Sequence, residues 1–153
     1  MLLGLPIREA VMEDGYMGKI TWCSDFCVGV AEIDAQHERL VSMVNELFRA
    51  YMLGREKDVL SDIITGLSDY TAYHFSTEER LMDEHAYPAR AEHRLEHREF
   101  IDRSIDFLLA YTSSNQEQNL APVVLDYLED WLLKHIRGTD VELGEFLRDK
   151  GVQ

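Results

Sequence analysis

Apolar side chains recur at intervals of three and four residues in four long stretches of the chain, and this spacing places them on one face of an α-helix. The first stretch starts behind Asp34, which we expect to cap the helix, and runs to Gly54. The second covers about residues 57–85, and Pro88 prevents it from continuing. Each stretch is long enough to form several helical turns with a buried stripe.

Two further stretches follow the same spacing. The third carries its stripe over residues 93–111 and ends at a turn predicted at 113–115, and the fourth runs from near Asn119 to Gly138. Four amphipathic helices joined by short turns predict an all-α fold, an antiparallel up-down-up-down four-helix bundle. The segment VELGEFLRD, residues 141–149, predicts one short additional C-terminal helix.

The N-terminal region lacks this helical spacing. Residues 1–33 include β-branched and aromatic residues but no partner run with which to form a hairpin, so we expect an extended arm over the ends of the bundle. We divide the chain into an N-terminal extension at residues 1–19 and one bundle domain at residues 20–150. A length of 153 residues suits a single sizeable core.

Charge and composition narrow the classes of partner. The chain has 15 basic and 29 acidic residues and a net charge of -14. This charge repels phosphates and anionic headgroups, so we expect the chain to bind neither nucleic acid nor a membrane surface. The charged outer faces also favour a monomer. No apolar run approaches the roughly 20 residues that cross a bilayer, and we predict a cytoplasmic protein. Cys23 and Cys27 are expected to be free thiols, and a redox or metal role for them is the weaker alternative.

Five of the six histidines fall on the apolar stripes, with at least one in every predicted helix. A lone histidine on such a face is usually an ordinary core residue. Five converging imidazoles need a shared acceptor, because each unsatisfied buried polar group costs roughly 1–3 kcal/mol, and a metal supplies one. His85 lies three turns beyond His74, and we interpret it as a surface or capping residue. The candidate ligands are His37, His74, His93, His97 and His135.

Two carboxylates add to this set. Glu78 follows His74 by four residues, about one helical turn, so both side chains can reach one site. Asp140 follows His135 by five residues, about 140° around a continuous helix, so we predict that the helix breaks between them at Gly138. His93 and His97 are four residues apart and can chelate one ion.

The number of ligands predicts two metal ions. Five imidazoles and two carboxylates exceed what one ion accepts, whereas two ions bridged by both carboxylates and by an oxide or hydroxide have six and five ligands, with one position open. An apolar wall around that position suits a small apolar ligand, although the same residues could be ordinary bundle core. The wall is predicted to consist of Phe75, Trp131, Leu132 and Ile136.

Four segments carry these residues: DAQH, HFSTEE, HRLEH and WLLKHIRGTD. Their order and intervals resemble the ligand signature of the hemerythrin family in its single-domain bacterial form, over residues 20 to about 147. The resemblance implies two iron ions, Fe2+ or Fe3+, joined by a bridging oxo or hydroxo group. It implies one iron on His93, His97 and His135, the other on His37 and His74, and Glu78 and Asp140 as bridges.

The resemblance also implies reversible O2 binding at the five-coordinate iron, where Leu132 would crowd the ligand. We therefore expect oxygen carriage, storage or sensing, with delivery to an oxygen-using partner protein as one use. The alternative is a di-iron oxidase, peroxidase or nitric oxide-handling enzyme. Di-iron enzymes in bundles are usually carboxylate-rich, which disfavours the alternative here, although the bundle-facing Tyr70 and Tyr127 keep it open.

Overall fold

Four helical stretches pack antiparallel in the computed structural model, which describes residues 10–11, 17–113 and 119–153. The predicted all-α bundle is confirmed. The first three helices are α1 at Ala31–Met52, α2 at Glu56–Glu84 and α3 at Arg90–Thr112. The helices α1 and α2 pack along each other, α2 also contacts α3, and α1 contacts the fourth stretch. Residues 114 and 115 of the predicted turn lie outside the described residues.

The fourth stretch is one long helix, and here two predictions were wrong. It comprises α4 at Leu120–Trp131, a π-helical segment at Leu132–Asp140 and α5 at Val141–Asp149. The C-terminal helix is therefore long, 30 residues, and not short. The predicted break at Gly138 is absent, because the backbone widens into i→i+5 turns there and continues.

The start of α1 also differs from the prediction. The helix begins at Ala31, so Asp34 lies inside its first turn and is not the cap. The Asp34 carboxylate instead accepts hydrogen bonds from the backbone N–H groups of Val28, at 2.6 Å, and Gly29, at 3.2 Å. An acidic side chain in the first turn thus ties the preceding loop to the helix.

The described part of the predicted arm, residues 1–33, contacts the bundle. Strands β1 at Ala10–Val11 and β2 at Met17–Gly18 form a two-residue antiparallel pair, which the sequence did not predict. The Ile20 backbone exchanges hydrogen bonds with the Asn45 side chain, at 2.9 and 2.7 Å. Residues 1–9 and 12–16 of the predicted arm lie outside the described residues.

Buried apolar residues form two clusters along the bundle. On α1, Ile33 belongs to the smaller cluster and Leu40 to the larger one. On α2, Leu81 belongs to the smaller and Phe75 to the larger. The smaller cluster ends where α5 packs against the 28–30 loop, and a Cβ at Gly144 would collide with the backbone oxygen of Val28. Every candidate ligand lies along its helix near the boundary between the two clusters, in a polar layer.

Two smaller predictions concern cysteines and membranes. Cys23 is exposed, Cys27 is half-buried, and both are free thiols, as predicted. Among the described residues, no helix combines the length and apolar character needed to cross a bilayer.

Candidate metal centre

All seven candidate ligands meet in one buried layer, and each is at most 1% exposed. Helix α1 contributes one, α2 and α3 contribute two each, and the π-helical segment contributes the last two. His85 lies outside this layer, at the C-terminal cap of α2. The seven side chains are His37, His74, Glu78, His93, His97, His135 and Asp140.

Glu78 lies between two sets of imidazoles and turns one oxygen to each. Its Oε1 lies 3.8 Å from His37 Nε2 and 3.5 Å from His74 Nε2. Its Oε2 lies 3.2 Å from His93 Nε2 and 3.0 Å from His97 Nε2. A carboxylate divided in this way has the arrangement of a bridging ligand.

Asp140 divides its oxygens in the same manner. Its Oδ2 lies 3.0 Å from His37 Nε2, while its Oδ1 lies 3.1 Å from His93 Nε2 and 2.9 Å from His135 Nε2. The π-helical turn makes this possible, because i→i+5 winding brings residues five apart onto nearly one face. The helix therefore aligns His135 and Asp140 by widening.

Two groups of donor atoms result, and they share both carboxylates. We call His93, His97 and His135 the three-histidine group, and His37 and His74 the two-histidine group. Within each group, the ligand atoms and the carboxylate oxygens all lie within 4.8 Å of one another. Each group thus has the compactness that a single metal ion requires.

Hydrogen bonding within the layer is incomplete, and a metal would complete it. The buried atoms without a hydrogen-bond partner include Nε2 of His37, His74 and His135, together with Oε1 of Glu78 and both oxygens of Asp140. Leaving each atom unpaired costs roughly 1–3 kcal/mol. Nitrogen and oxygen donors of this kind suit iron, zinc and related ions, so the residues fit a metal.

Partners at Nδ1 orient four of the five imidazoles. For His37 the partner is a backbone carbonyl, since its Nδ1 lies 3.3 Å from the Phe26 oxygen. The other partners are side chains that the sequence analysis missed, and each adjoins a ligand in sequence. They are Gln36 for His74, Glu79 for His97 and Glu96 for His135.

Burial and the carboxylates set the pKa values of the metal-free imidazoles. Burial opposes charge on His93, but the Asp140 and Glu78 carboxylates beside the ring outweigh it and raise the pKa of His93 to about 10. The same competition, with Asp140 as the strongest opposing group, raises the pKa of His135 to about 9. For His74 burial prevails, and its pKa falls to about 4.

Metal binding is therefore expected to release protons. At pH 7.5 the metal-free protein holds protons on His93 and His135, and an ion must displace them because only the neutral ring is a ligand. Although burial opposes its charge, Asp140 raises the pKa of His37 as well. We therefore expect at least about two protons released per protein and a metal affinity that rises with pH. Calorimetric titration with Zn2+ in buffers of different ionisation enthalpy measures the proton count. Binding without proton release would contradict a ligand role for these two rings.

Two residues of the predicted apolar wall stack on candidate ligands, and all four are buried. The Phe75 ring stacks on His97 at a centroid distance of 3.8 Å, and the Trp131 ring stacks on His135 at 3.9 Å. Leu132 and Ile136 are fully buried in the same apolar cluster. The lining of an O2 pocket by these four residues stays a prediction.

Tyr70 lies beside the two-histidine group. Its ring stacks on His74 at a centroid distance of 4.9 Å, and its buried hydroxyl has no hydrogen-bond partner among the described residues. Burial, together with the nearby Glu78 carboxylate, raises the pKa of Tyr70 well above its usual value. The hydroxyl is therefore protonated. Tyr127, the other tyrosine singled out in the sequence, instead packs against Phe100 and Phe107.

Antiparallel helices around a buried layer of imidazoles and carboxylates define a metal-binding helical bundle. Residues 28–147 match the family described as Hemerythrin HHE cation binding domain. The chain belongs to the hemerythrin family. The match lies inside the predicted domain of residues 20–150, whose boundaries stay a prediction.

Curated relatives agree with this assignment. The chain is 33% identical to a bacteriohemerythrin of Stenotrophomonas maltophilia over 124 residues, 81% of this chain and 78% of the relative. It is 30% identical to a bacteriohemerythrin of Pseudomonas aeruginosa over 142 residues, 88% of this chain and 90% of the relative. It is 28% identical to one of Methylococcus capsulatus over 132 residues, 86% and 98% of the two chains.

Proposed function

We propose that the chain binds O2 reversibly at a di-iron centre. The observation that carries this proposal is the division of both bridging carboxylates, Glu78 and Asp140, between the three-histidine and two-histidine groups. The three-histidine group, with one oxygen from each carboxylate, would hold one iron, and the two-histidine group, with the other two oxygens, would hold the second. The second set has one donor fewer, so it would leave room for a small ligand. When bound, the iron pair would supply the electrons that hold O2 and recover them on release.

The chain's own residues favour binding over turnover. Histidines outnumber carboxylates five to two in the ligand set, whereas anionic ligands favour the high-valent iron that oxidation requires. Two carboxylates and one hydroxide nearly neutralise two Fe2+ ions, which makes the buried cluster tolerable. The apolar wall of Phe75, Trp131, Leu132 and Ile136 excludes water and charged substrates.

A di-iron oxidase, peroxidase or nitric oxide-handling enzyme is the second candidate. The observation in its favour is the buried hydroxyl of Tyr70, which has no partner and lies beside the two-histidine group. Such a hydroxyl can donate a hydrogen bond or a proton to a ligand. If a Tyr70→Phe variant keeps reversible O2 binding, the Tyr70 hydroxyl is not needed to hold the bound ligand.

Reconstitution without air tests the proposal. The metal-free chain is loaded with Fe2+, O2 is admitted, and the gas is then evacuated while the visible spectrum is recorded. We expect a charge-transfer band that appears with O2, disappears on evacuation and returns over several cycles. A band that decays with consumption of a reductant or release of peroxide would support the enzyme instead.

We also propose that the chain acts as a monomer that exchanges O2 with an oxygen-using partner protein. The net charge of -14 supports the monomeric state, because like-charged copies repel one another. The exchange follows from reversible binding, since O2 that is released can be taken up by another protein. Light scattering at physiological salt measures the mass against 17.7 kDa for one chain. A stable dimer would overturn the monomer.

A further inference from the structure

The two histidine groups differ in the charge of their outer hydrogen-bond acceptors. In the three-histidine group, His97 Nδ1 donates to the Glu79 carboxylate at 3.0 Å, and His135 Nδ1 donates to the Glu96 carboxylate. In the two-histidine group, both acceptors are neutral: the Phe26 carbonyl oxygen and the Gln36 side chain. When the acceptor at Nδ1 is a carboxylate, the imidazole is more basic, and its other nitrogen binds a metal more strongly than when the acceptor is neutral.

The two carboxylates are themselves held in place. Glu79 also accepts a hydrogen bond from Arg94 at 3.3 Å. Glu96 accepts one from the Thr139 hydroxyl at 3.0 Å. The Thr139 hydroxyl leaves the charge of Glu96 intact, whereas the Arg94 guanidinium offsets part of the charge of Glu79, so Glu96 is the stronger anionic acceptor.

The neutral acceptor Gln36 is fixed by a second chain of hydrogen bonds. The Thr77 hydroxyl donates to the Tyr73 carbonyl at 3.1 Å, so its oxygen is free to accept from Gln36 Nε2, also at 3.1 Å. The amide of Gln36 is thereby oriented with Oε1 toward His74 Nδ1, at 2.7 Å. His74 must then carry its proton on Nδ1 and turn the lone pair of Nε2 to the metal.

Solvent approaches the two-histidine group from outside. A pocket of about 480 Å³ is lined by residues of α1 and α2, among them Arg39, Asp69 and the exposed Tyr73. Its lining also includes Gln36 and Tyr70, and both contact His74. One layer of side chains therefore separates the pocket from a candidate ligand.

We propose that the two metal positions are unequal, the three-histidine position holding its ion tightly and the two-histidine position exchanging its ion through the pocket above Gln36. This inference rests on the proposed di-iron centre. The three-histidine position has one more imidazole, and two of its imidazoles donate to carboxylates. In the two-histidine position both imidazoles donate to neutral groups, and the pocket adjoins this position. The charge of residue 36 thus sets how firmly the second ion is held.

Chelation kinetics test the inequality. The chain is loaded with Fe2+ under argon and mixed with excess colorimetric Fe2+ chelator, and release is followed by absorbance. We expect two phases of equal amplitude. Gln36→Glu is expected to slow the fast phase about tenfold and leave the slow phase unchanged, because second-layer partners alter metal affinity about 10–100-fold. Glu96→Gln is expected to speed the slow phase by a similar factor.

Matched controls separate these effects from general loosening of the fold. Glu99→Gln makes the same change as Glu96→Gln on the same helix, at an exposed position, and should leave both phases unaltered. Glu79→Gln provides a second variant of the three-histidine group if Glu96→Gln fails to fold. Helicity by circular dichroism shows which variants are folded.

The outcomes distinguish this inference from the proposed function. Release of two ions in a single phase, or a Gln36→Glu effect confined to the slow phase, would overturn the inequality and leave the di-iron centre standing. Binding of only one ion by the wild-type chain would instead overturn the di-iron centre.

Discussion

Glu78→Gln is expected to abolish binding of the second iron and to weaken binding of the first by at least roughly 100-fold, more than loss of an outer partner costs. The amide offers one neutral oxygen where the carboxylate offered two charged ones. Glu78 is fully buried and faces all but one of the five imidazoles within 3.8 Å, so both positions lose a ligand at once. Iron per chain after anaerobic loading and desalting measures the loss.

Glu84→Gln is the matched control for this variant. It makes the same chemical change on the same helix, at a side chain that is 51% exposed and, among the residues that the structure describes, pairs with Arg80. We expect it to keep two irons, as we expect of His85→Ala, whose imidazole lies outside the ligand layer. Equal iron content in Glu78→Gln and Glu84→Gln would refute the bridging role of Glu78.

Leu132→Ala is expected to keep both irons but to destabilise the fold and speed autoxidation. Leu132 is fully buried, and removing such a side chain costs about 2–5 kcal/mol because a cavity remains. At the predicted O2 pocket that cavity would admit water, which promotes oxidation of the iron. Urea unfolding measures the first effect, and loss of the oxygenated spectrum with time measures the second.

Leu133→Ala provides the comparison, since it is the same substitution one residue along, at a side chain that is 49% exposed. We expect its free energy of unfolding to stay within about 0.5 kcal/mol of the wild type, as is usual for surface changes. If Leu132→Ala loses stability but autoxidises at the wild-type rate, Leu132 is ordinary core, and the pocket is wrongly placed.

The bundle and the convergence of the candidate ligands could be predicted because both depend on helical periodicity. His37, His74 and Glu78 share a stripe with buried apolar residues, and a helix that buries the stripe must bury them too. His85 was set apart by its distance along the helix, three turns beyond His74, and it lies outside the layer.

The alignment of His135 with Asp140 could not be predicted from an ordinary α-helix. At 100° per residue the two side chains diverge, so a break at Gly138 seemed necessary. The π-helical segment solves the same geometric problem without a break, and the preference for i→i+5 bonds depends on packing and ligand contacts that the sequence does not display. The prediction of a separate short helix failed for the same reason.

The side chains that accept from Nδ1 of the imidazoles could not be predicted. They are polar residues next to the ligands in sequence, and such residues are ordinarily expected to face solvent. Glu96 is indeed partly exposed, yet it reaches His135 from another helix. Gln36 is 6% exposed. A usable signal existed in the adjacency itself: Gln36 precedes His37, Glu79 follows Glu78, and Glu96 precedes His97.

We propose that seven buried side chains hold two irons that share two carboxylates. Anomalous diffraction at the iron edge, from crystals of the chain loaded with Fe2+ under argon, would locate the irons. We predict two peaks, one coordinated by His93, His97 and His135 and the other by His37 and His74, with Glu78 and Asp140 bound to both. A single peak, or irons bound elsewhere on the acidic surface, would contradict it.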